Sequence, residues 1–304
     1  MKMIKNEAWW PSRYGAHDQI GTLNEITPEK IVAAARLVQT GKVYDLGRVL
    51  HANAPRFEGR YWQQTLVSSS HIINPRRPEG MPNGWGQNSI NRITELVTGT
   101  MQMGTHLDGL NHLQIGDRFY NGFQTREIVE EWGTNKLGIE SVPQVITRGV
   151  LVDIARYRGV TQMKEGEIIT VEDIEGALTS QRVTVAQGDI LLIHTGWGSL
   201  WDLDPTRYTS GEPGIGMDAG RWLVDQRVAM TGADTWSYGA VPGEDPERPF
   251  VVPQTLNAKH GLFIMENLDT SILAVENVYE FMFVLTHYKT RGSTAAWISP
   301  IAVV

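Results

Sequence analysis

The residues best suited to chemistry lie in one short run, where positions 102–112 read QMGTHLDGLNH. If this run is extended, alternate side chains share a face, so Gln102, His106 and Asp108 point the same way. An amide oxygen, an imidazole nitrogen and a carboxylate on one face could ligate a divalent cation. This mixture of ligands suits Zn, Mn or Fe(II), whereas an all-oxygen set would favour Mg or Ca. His112 follows after a Gly-Leu-Asn stretch that can turn it back toward the same place.

The same run resembles the signature of the cyclase family, which includes bacterial kynurenine formamidase and isatin hydrolase. That signature reads His-x-Gly-Thr-His-x-Asp-x-Pro-x-His. The chain departs from it at Gln102, where the family has His, and at Leu110, where it has Pro. The matching residues are Gly104, Thr105, His106, Asp108 and His112. The resemblance implies a metal-dependent hydrolase with a mixed α/β fold of the swivelling β/β/α type, assembled as a homodimer or homotetramer.

The resemblance also implies a second group of ligands near the C-terminus. In the family, a later His is followed twelve residues on by Glu or Gln, and this pattern falls on Gln254 and Glu266. Two positions that are His in the family, 102 and 254, are therefore Gln here. A neutral amide oxygen is a weaker, harder donor than imidazole, which shifts preference from Zn toward Mn and makes a full two-metal site less favourable. We expect one divalent ion, Mn or Zn. The alternative for both glutamines is that they only line the cavity or orient a ligand.

His112 is the predicted catalytic residue. A Lewis-acid metal activates water and polarises a carbonyl, but a separate group must still move protons. Histidine suits this task because its ordinary pKa lies near neutrality, and His112 is close to the metal ligands without being needed among them. The resemblance gives the last His of the signature the same role.

The least regular stretch, residues 51–97, is predicted to face the substrate. It combines several prolines and glycines with aromatic side chains, and long loops within a domain are commonly functional. The predicted substrate-binding residues are Phe57, Tyr61, Trp62, His71 and Trp85. The alternative for any one of these aromatics is a large anchor in the core.

Composition narrows the class of partner. The chain has 304 residues, a net charge of −7 and no cysteine, so thiolate metal sites and disulfides are excluded. Without a basic stripe we expect no nucleic-acid partner, and without a long apolar run we expect no membrane partner. The expected partner is a small-molecule substrate, and the expected location is the cytoplasm.

The remaining pattern predicts one domain over residues 1–304, with an N-terminal arm at 1–26. Thr27 is the predicted N-cap of a helix that ends near Gly41, and TVED at 170–173 is a capping-box pattern. A short helix is predicted for residues 217–228. Strands are predicted at 149–154, 189–195, 228–234, 262–265, 281–287 and 296–304.

These observations together predict an enzyme. We expect a metal-dependent hydrolase, of amidase or lactonase type, that cleaves a C–N or C–O bond in a small cyclic or aromatic amide, lactam, imide or lactone. An arylformamidase acting on a compound such as N-formylkynurenine is one alternative. A relative that binds a ligand without turning it over is another.

Overall fold

The structure is a computed structural model, which describes residues 9–68, 87–90 and 92–304. The strands described, in chain order, are β1 Val43–Asp45, β2 Trp62–Ser68, β3 Thr94–Gly99, β4 His106–Asp108, β5 Val129–Glu130, β6 Gly133–Thr134, β7 Val145–Asp153, β8 Ile168–Ile169, β9 Ile190–His194, β10 Gly214–Ile215, β11 Met230–Ala233, β12 Phe263–Glu266, β13 Glu280–Leu285, β14 Ala295–Trp297 and β15 Ile301–Val303. Nine of them form one mixed sheet in the order β1-β15-β13-β7-β9-β11-β12-β4-β14. Strands β7, β9, β11 and β12 are parallel neighbours, and the outer pairs are antiparallel.

Short helices connect and cover the strands. The α-helices are α1 Pro28–Ala35, α2 Thr125–Ile128, α3 Ile154–Tyr157, α4 Val171–Gln181, α5 Leu200–Leu203, α6 Pro205–Tyr208, α7 Met217–Asp225, α8 Val251–Gln254 and α9 Ser271–Glu276, and a π-helical turn, Thr255–Lys259, follows α8. Short 3₁₀ turns occur at Gly21–Glu25, Tyr120–Gly122, Ile139–Ser141 and Trp197–Ser199. The mixed α/β fold predicted from the sequence is confirmed. Within the described parts of the chain, no helix is long and apolar enough to cross a membrane.

Both faces of the sheet are buried. Along β9, Ile190 and Leu192 join one apolar cluster, whereas Leu191 and Ile193 join a second cluster on the opposite face. This is why the parallel strands read as continuous apolar runs in the sequence rather than as alternating patterns. The two clusters cover the central strands, and the candidate site lies where β12 ends beside β4.

The last run of apolar residues, predicted as one strand over 296–304, is two strands. Pro300 has no N–H to donate to a ladder, and residues 298–300 belong to neither strand. Strand β14 pairs with β4 near one end of the sheet, while β15 pairs with β13 and β1 near the other. The four Cα–Cα steps from Trp297 to Ile301 span at most about 14 Å. The sheet must therefore curl until its two ends approach each other.

The first helix is shorter than predicted. Thr27 caps it as expected, because its side chain accepts from the backbone N–H of Lys30 at 3.3 Å. The helix ends at Ala35, because the chain turns there to bring Thr40 and Gly41 onto the carbonyl of Val304. The other helical signals are confirmed: the capping box of α4 is formed, and α7 occupies most of the predicted helix at 217–228.

Candidate metal centre

Two neighbouring strands bring together the three acidic and imidazole ligands of the candidate site. Strand β4 pairs antiparallel with β12, and in that register His106 lies directly opposite Glu266. Asp108 is two residues along β4 and so shares a face with His106. All three side chains are buried. The fold thus joins the central motif to a residue far along the chain.

The three side chains, called here the ligand trio (His106, Asp108 and Glu266), converge closely. The Nε2 atom of His106 lies 3.5 Å from Oδ1 of Asp108 and 3.3 Å from Oε2 of Glu266. One ligand atom from each residue lies within 4.8 Å of the others. This is the only such grouping of His, Asp and Glu ligand atoms within the part of the chain that the structure describes.

Backbone geometry fixes the tautomer of His106. Its Nδ1 lies 2.9 Å from the carbonyl oxygen of Gly104, which can only accept, so Nδ1 carries the proton. The Nε2 atom therefore faces the carboxylates and is the ring atom available to a metal, the arrangement typical of a metal-ligating histidine. Gly104 adopts a left-handed backbone with φ of +64°, which suits glycine and turns its carbonyl back onto the ring.

Thr105, the other small residue of the motif, joins the two strands behind the trio. Its hydroxyl donates to the carbonyl of Asn267 at 2.7 Å and accepts from the backbone N–H of Arg48 at 2.8 Å. Asn267 immediately follows Glu266. The hydroxyl of Thr105 therefore fixes the separation of the two segments that carry the ligands.

The electrostatics of the trio favour a bound cation. Both His106 Nε2 and Asp108 Oδ1 are buried without a hydrogen-bond partner among the described residues, which is costly unless something else satisfies them. Burial alone would lower the pKa of His106, but the neighbouring Asp108 and Glu266 outweigh it and raise that pKa to about 10. Burial and the charge of Asp108 raise the pKa of Glu266.

The site therefore attracts positive charge, and its donors fit a divalent metal ion. One imidazole nitrogen and two carboxylates are a ligand set used by Mn, Fe(II) and Zn. Without a metal, a proton on His106 balances the two acids. A metal ion must displace that proton, so metal affinity should rise with pH.

His112 lies beside the trio rather than within it. Its Nε2 atom is 4.0 Å from Oδ2 of Asp108, and its side chain is 26% exposed, so it can exchange protons with solvent. Its Nδ1 lies 3.3 Å from the amide nitrogen of Gln102. This placement suits the predicted catalytic role, which stays a prediction.

The strand argument for Gln102 is wrong, because β4 begins only at His106 and the left-handed Gly104 breaks the alternation before it. The amide nitrogen of Gln102 instead donates to Thr294 Oγ1 at 3.0 Å and approaches His112. The structure thus gives Gln102 contacts that orient His112. Ligation through its oxygen stays a prediction.

Gln254, the other glutamine in a family histidine position, is the last residue of α8. Its amide nitrogen donates to the carbonyl of Gln114 at 2.7 Å, two residues after His112. This contact ties α8 and the π-helical turn to the segment that follows the motif. Its role as a metal ligand also stays a prediction.

The five predicted substrate-binding residues differ in their burial and in whether the structure describes them. Phe57 and Trp62 are partly buried and pack on a cluster of Trp and Tyr side chains, whereas Tyr61 is 49% exposed. His71 and Trp85 lie outside the described residues. Contact with substrate stays a prediction for all five.

Sequence reasoning missed other residues that line a narrow pocket beside the trio. This pocket, called here the side pocket, is lined by Pro55, Arg56, Phe57, Arg60, Gln102, Met103, Gly104, Tyr208, Thr209, Trp236 and Asn267. Trp236 stacks on Phe57 with ring centroids 4.2 Å apart. Trp236 stands in a Gly-x-Asp-Thr-x-Ser pattern that could have drawn attention to it. No sequence pattern of this kind surrounds Arg60.

A larger cavity, about 740 Å³, lies at the carboxyl ends of β7 and β9, and no residue of the trio lines it. His194 and Asp234 line it, but both are held in place: His194 bonds Thr270 at 2.7 Å, and Asp234 accepts from Thr195 and Gly198. Size alone does not identify a reactive site. The trio is the candidate site, because buried ligand atoms without hydrogen-bond partners among the described residues converge there.

Comparison with known proteins identifies the family. The family model described as putative cyclase matches residues 44–240, which include the central motif but not Glu266. A crystal structure of a novel cyclase is 34% identical, with a TM-score of 0.85 over 96% of this chain and 98% of that chain. Comparison with curated proteins gives no significant match.

More distant structures share the fold. Isatin hydrolase A from Labrenzia aggregata, bound to benzyl benzoate, is 16% identical, with a TM-score of 0.63 over 90% of this chain and 97% of that chain. A predicted metal-dependent hydrolase from Bacillus stearothermophilus is 15% identical, with a TM-score of 0.51 over 87% of this chain and 98% of that chain. The central motif, the fold and the family model agree, and the chain belongs to the cyclase family.

Proposed function

We propose that the protein is a metal-dependent hydrolase that cleaves a C–N or C–O bond in a small cyclic or aromatic amide, lactam, imide or lactone. The observation that carries this proposal is the trio itself, in which buried ligand atoms of His106 and Asp108 have no hydrogen-bond partner among the described residues and lie beside the carboxylate of Glu266. Distant structural relatives include an isatin hydrolase, whose name denotes hydrolysis of an aromatic lactam, and a predicted metal-dependent hydrolase.

The trio would hold one Mn or Zn ion, which supplies Lewis-acid activation of water and of the substrate carbonyl. The residues of the protein hold the cation and orient its ligands. Glu266 and Asp108 provide the negative charge that retains the cation, and Gly104 fixes the imidazole of His106 in the ligating tautomer. The buried setting keeps these charges poorly screened, which strengthens their effect on the reacting atoms.

His112 would move the protons. The amide of Gln102 contacts Nδ1 of His112 at 3.3 Å, which leaves Nε2 as the ring atom that exchanges protons with the substrate. That Nε2 lies 4.0 Å from Oδ2 of Asp108, beside the trio. With Nε2 unprotonated, the ring can take a proton from the attacking water, and the resulting imidazolium can give that proton to the departing nitrogen or oxygen.

A panel of substrates tests the proposal. Protein loaded with Mn or Zn is expected to hydrolyse at least one of isatin, phthalimide, a δ-lactone and phenyl acetate, and to prefer a cyclic substrate over N-formylaniline. Chelation should abolish the activity, and adding Mn or Zn should restore it. Full metal occupancy with no turnover of any substrate would instead favour a ligand-binding protein, and a preference for N-formylaniline would favour an arylformamidase.

A further inference from the structure

The side pocket is lined by chain neighbours of the ligand trio. Its wall includes Gly104, whose carbonyl holds His106, and Asn267, which follows Glu266 in the chain. Gln102, another lining residue, contacts His112. A substrate whose scissile bond lies at the trio would therefore extend its neighbouring atoms toward this pocket.

The pocket has an aromatic wall and a positive charge. Phe57 and Trp236 form the aromatic wall, with ring planes tilted by 55°. The guanidinium of Arg60 lies 5.4 Å from the centre of the Phe57 ring, and one of its nitrogens donates to the carbonyl of Gln102 at 2.9 Å. The charged residues of the lining are Arg56 and Arg60, and no carboxylate is among the lining residues that the structure describes.

Arg60 is the better placed of the two arginines. Arg56 is exposed and donates to the carbonyl of Ala52, away from the motif. Arg60 instead donates to the carbonyl of Gln102, the first residue of the motif, at 2.9 Å, and lines the side pocket together with Gly104 and Asn267. Arg60 therefore places its positive charge beside the two segments that carry the ligands.

The charges of the trio, of a bound divalent cation and of Arg60 can be compared. Two carboxylates of the trio neutralise one divalent cation, and Arg60 then adds a positive charge that no carboxylate of the side pocket offsets. A cation beside a metal ion is unfavourable unless a negative group joins it. In the described structure, that negative group is left for the substrate to supply.

We infer that the substrate carries a carboxylate on an aromatic or flat apolar body, and that Arg60 is the residue that selects it. This inference rests on the proposed function, since the substrate is placed by its scissile bond at the trio. The planar guanidinium suits a carboxylate, which it can bind through two parallel hydrogen bonds, and the Phe57–Trp236 wall suits a flat ring.

Binding of benzoate and benzamide tests the inference without requiring turnover. Titration calorimetry on Mn-loaded protein should show benzoate binding at least about tenfold more tightly than benzamide, the size expected for a charge-assisted hydrogen bond. Arg60→Gln should lose about tenfold in benzoate affinity and little in benzamide affinity, while Arg60→Lys should recover part of the loss. Benzoate can also ligate the metal. The decisive quantity is therefore the decrease in benzoate affinity from the parent to Arg60→Gln, compared at equal metal content.

Arg118 offers a matched control. Its guanidinium also lies over an aromatic ring, 4.5 Å from the centre of Trp10, and also donates to a backbone carbonyl, that of Gly122. Arg118→Gln should leave both affinities within about twofold of the parent. Equal weakening of both ligands in Arg60→Gln, or an unchanged benzoate affinity, would overturn the inference.

A kinetic comparison separates this inference from the proposed function. The parent should hydrolyse 4-acetoxybenzoate with a kcat/KM about tenfold above that of 4-acetoxybenzamide, and Arg60→Gln should remove the preference mainly through KM. Similar turnover of both esters by the parent would contradict the role of Arg60 while leaving a hydrolase in place. Turnover of neither ester would contradict the proposed activity on esters, and the benzoate titration would still decide whether Arg60 selects a carboxylate.

Discussion

Asp108→Ala is expected to lose most of its bound metal and, with it, most of its hydrolytic activity. Asp108 supplies one of the two anionic ligands, and its Oδ1 is buried without a hydrogen-bond partner among the described residues. Loss of an outer partner of a metal ligand typically costs about 10–100-fold in affinity, so loss of the ligand itself should exceed about 100-fold. Elemental analysis after dialysis would measure the effect.

Asp108→Asn makes this experiment sharper, because it keeps the shape of the side chain and removes only its charge. Both variants should keep their fold, since the change removes a buried carboxylate that already lies close to Glu266. Circular dichroism and thermal unfolding would confirm this. An exposed carboxylate such as Asp117 serves as the control site, where alanine should leave the metal content unchanged. Full metal occupancy in Asp108→Ala would contradict the assignment of this ligand.

His112→Ala is expected to keep the metal and the fold but to lower kcat by about 10² to 10⁴, the usual contribution of general acid–base catalysis. The side chain lies 4.0 Å from Asp108 and is partly exposed, so its removal takes away a proton carrier and no required ligand. The loss should be smaller for an activated aryl ester, because a good leaving group needs less protonation as it departs. Steady-state kinetics on an ester and a lactam would measure both effects.

His17→Ala, at an exposed histidine away from the site, is the control for this variant and should behave as the parent. If His112→Ala loses the metal, His112 is a ligand and the proton carrier must be another group, with Glu266 the next candidate. If it retains both metal and full activity, the proposed proton transfer is wrong.

The sequence predicted the chemistry of the central motif better than its local shape. His106 and Asp108 were predicted as partners because they alternate on a strand, and β4 bears this out. The same argument failed for Gln102, because Gly104 takes a left-handed conformation that the residue types alone do not reveal. Glu266 could be predicted only through the resemblance, since its position opposite His106 depends on strand pairing between distant segments.

Contacts between distant segments also limited the prediction of other parts of the fold from the sequence. The run at 296–304 reads as one apolar strand, yet the curl of the sheet places β14 beside β4 and β15 beside β13. Arg60 stands in an irregular stretch with no pattern around it. Its proposed role depends on the fold, which brings it over Phe57 and against the carbonyl of Gln102.

One divalent ion is expected to bind between His106, Asp108 and Glu266. The most direct test is anomalous diffraction from crystals of Mn-loaded or Zn-loaded protein, with data collected on both sides of the metal absorption edge. We expect one strong anomalous peak about 2.0–2.2 Å from His106 Nε2 and from an oxygen of each carboxylate, the ordinary range for Zn ligands. A fully loaded crystal with no peak between these three residues, or with its peak at another place in the molecule, would contradict the account.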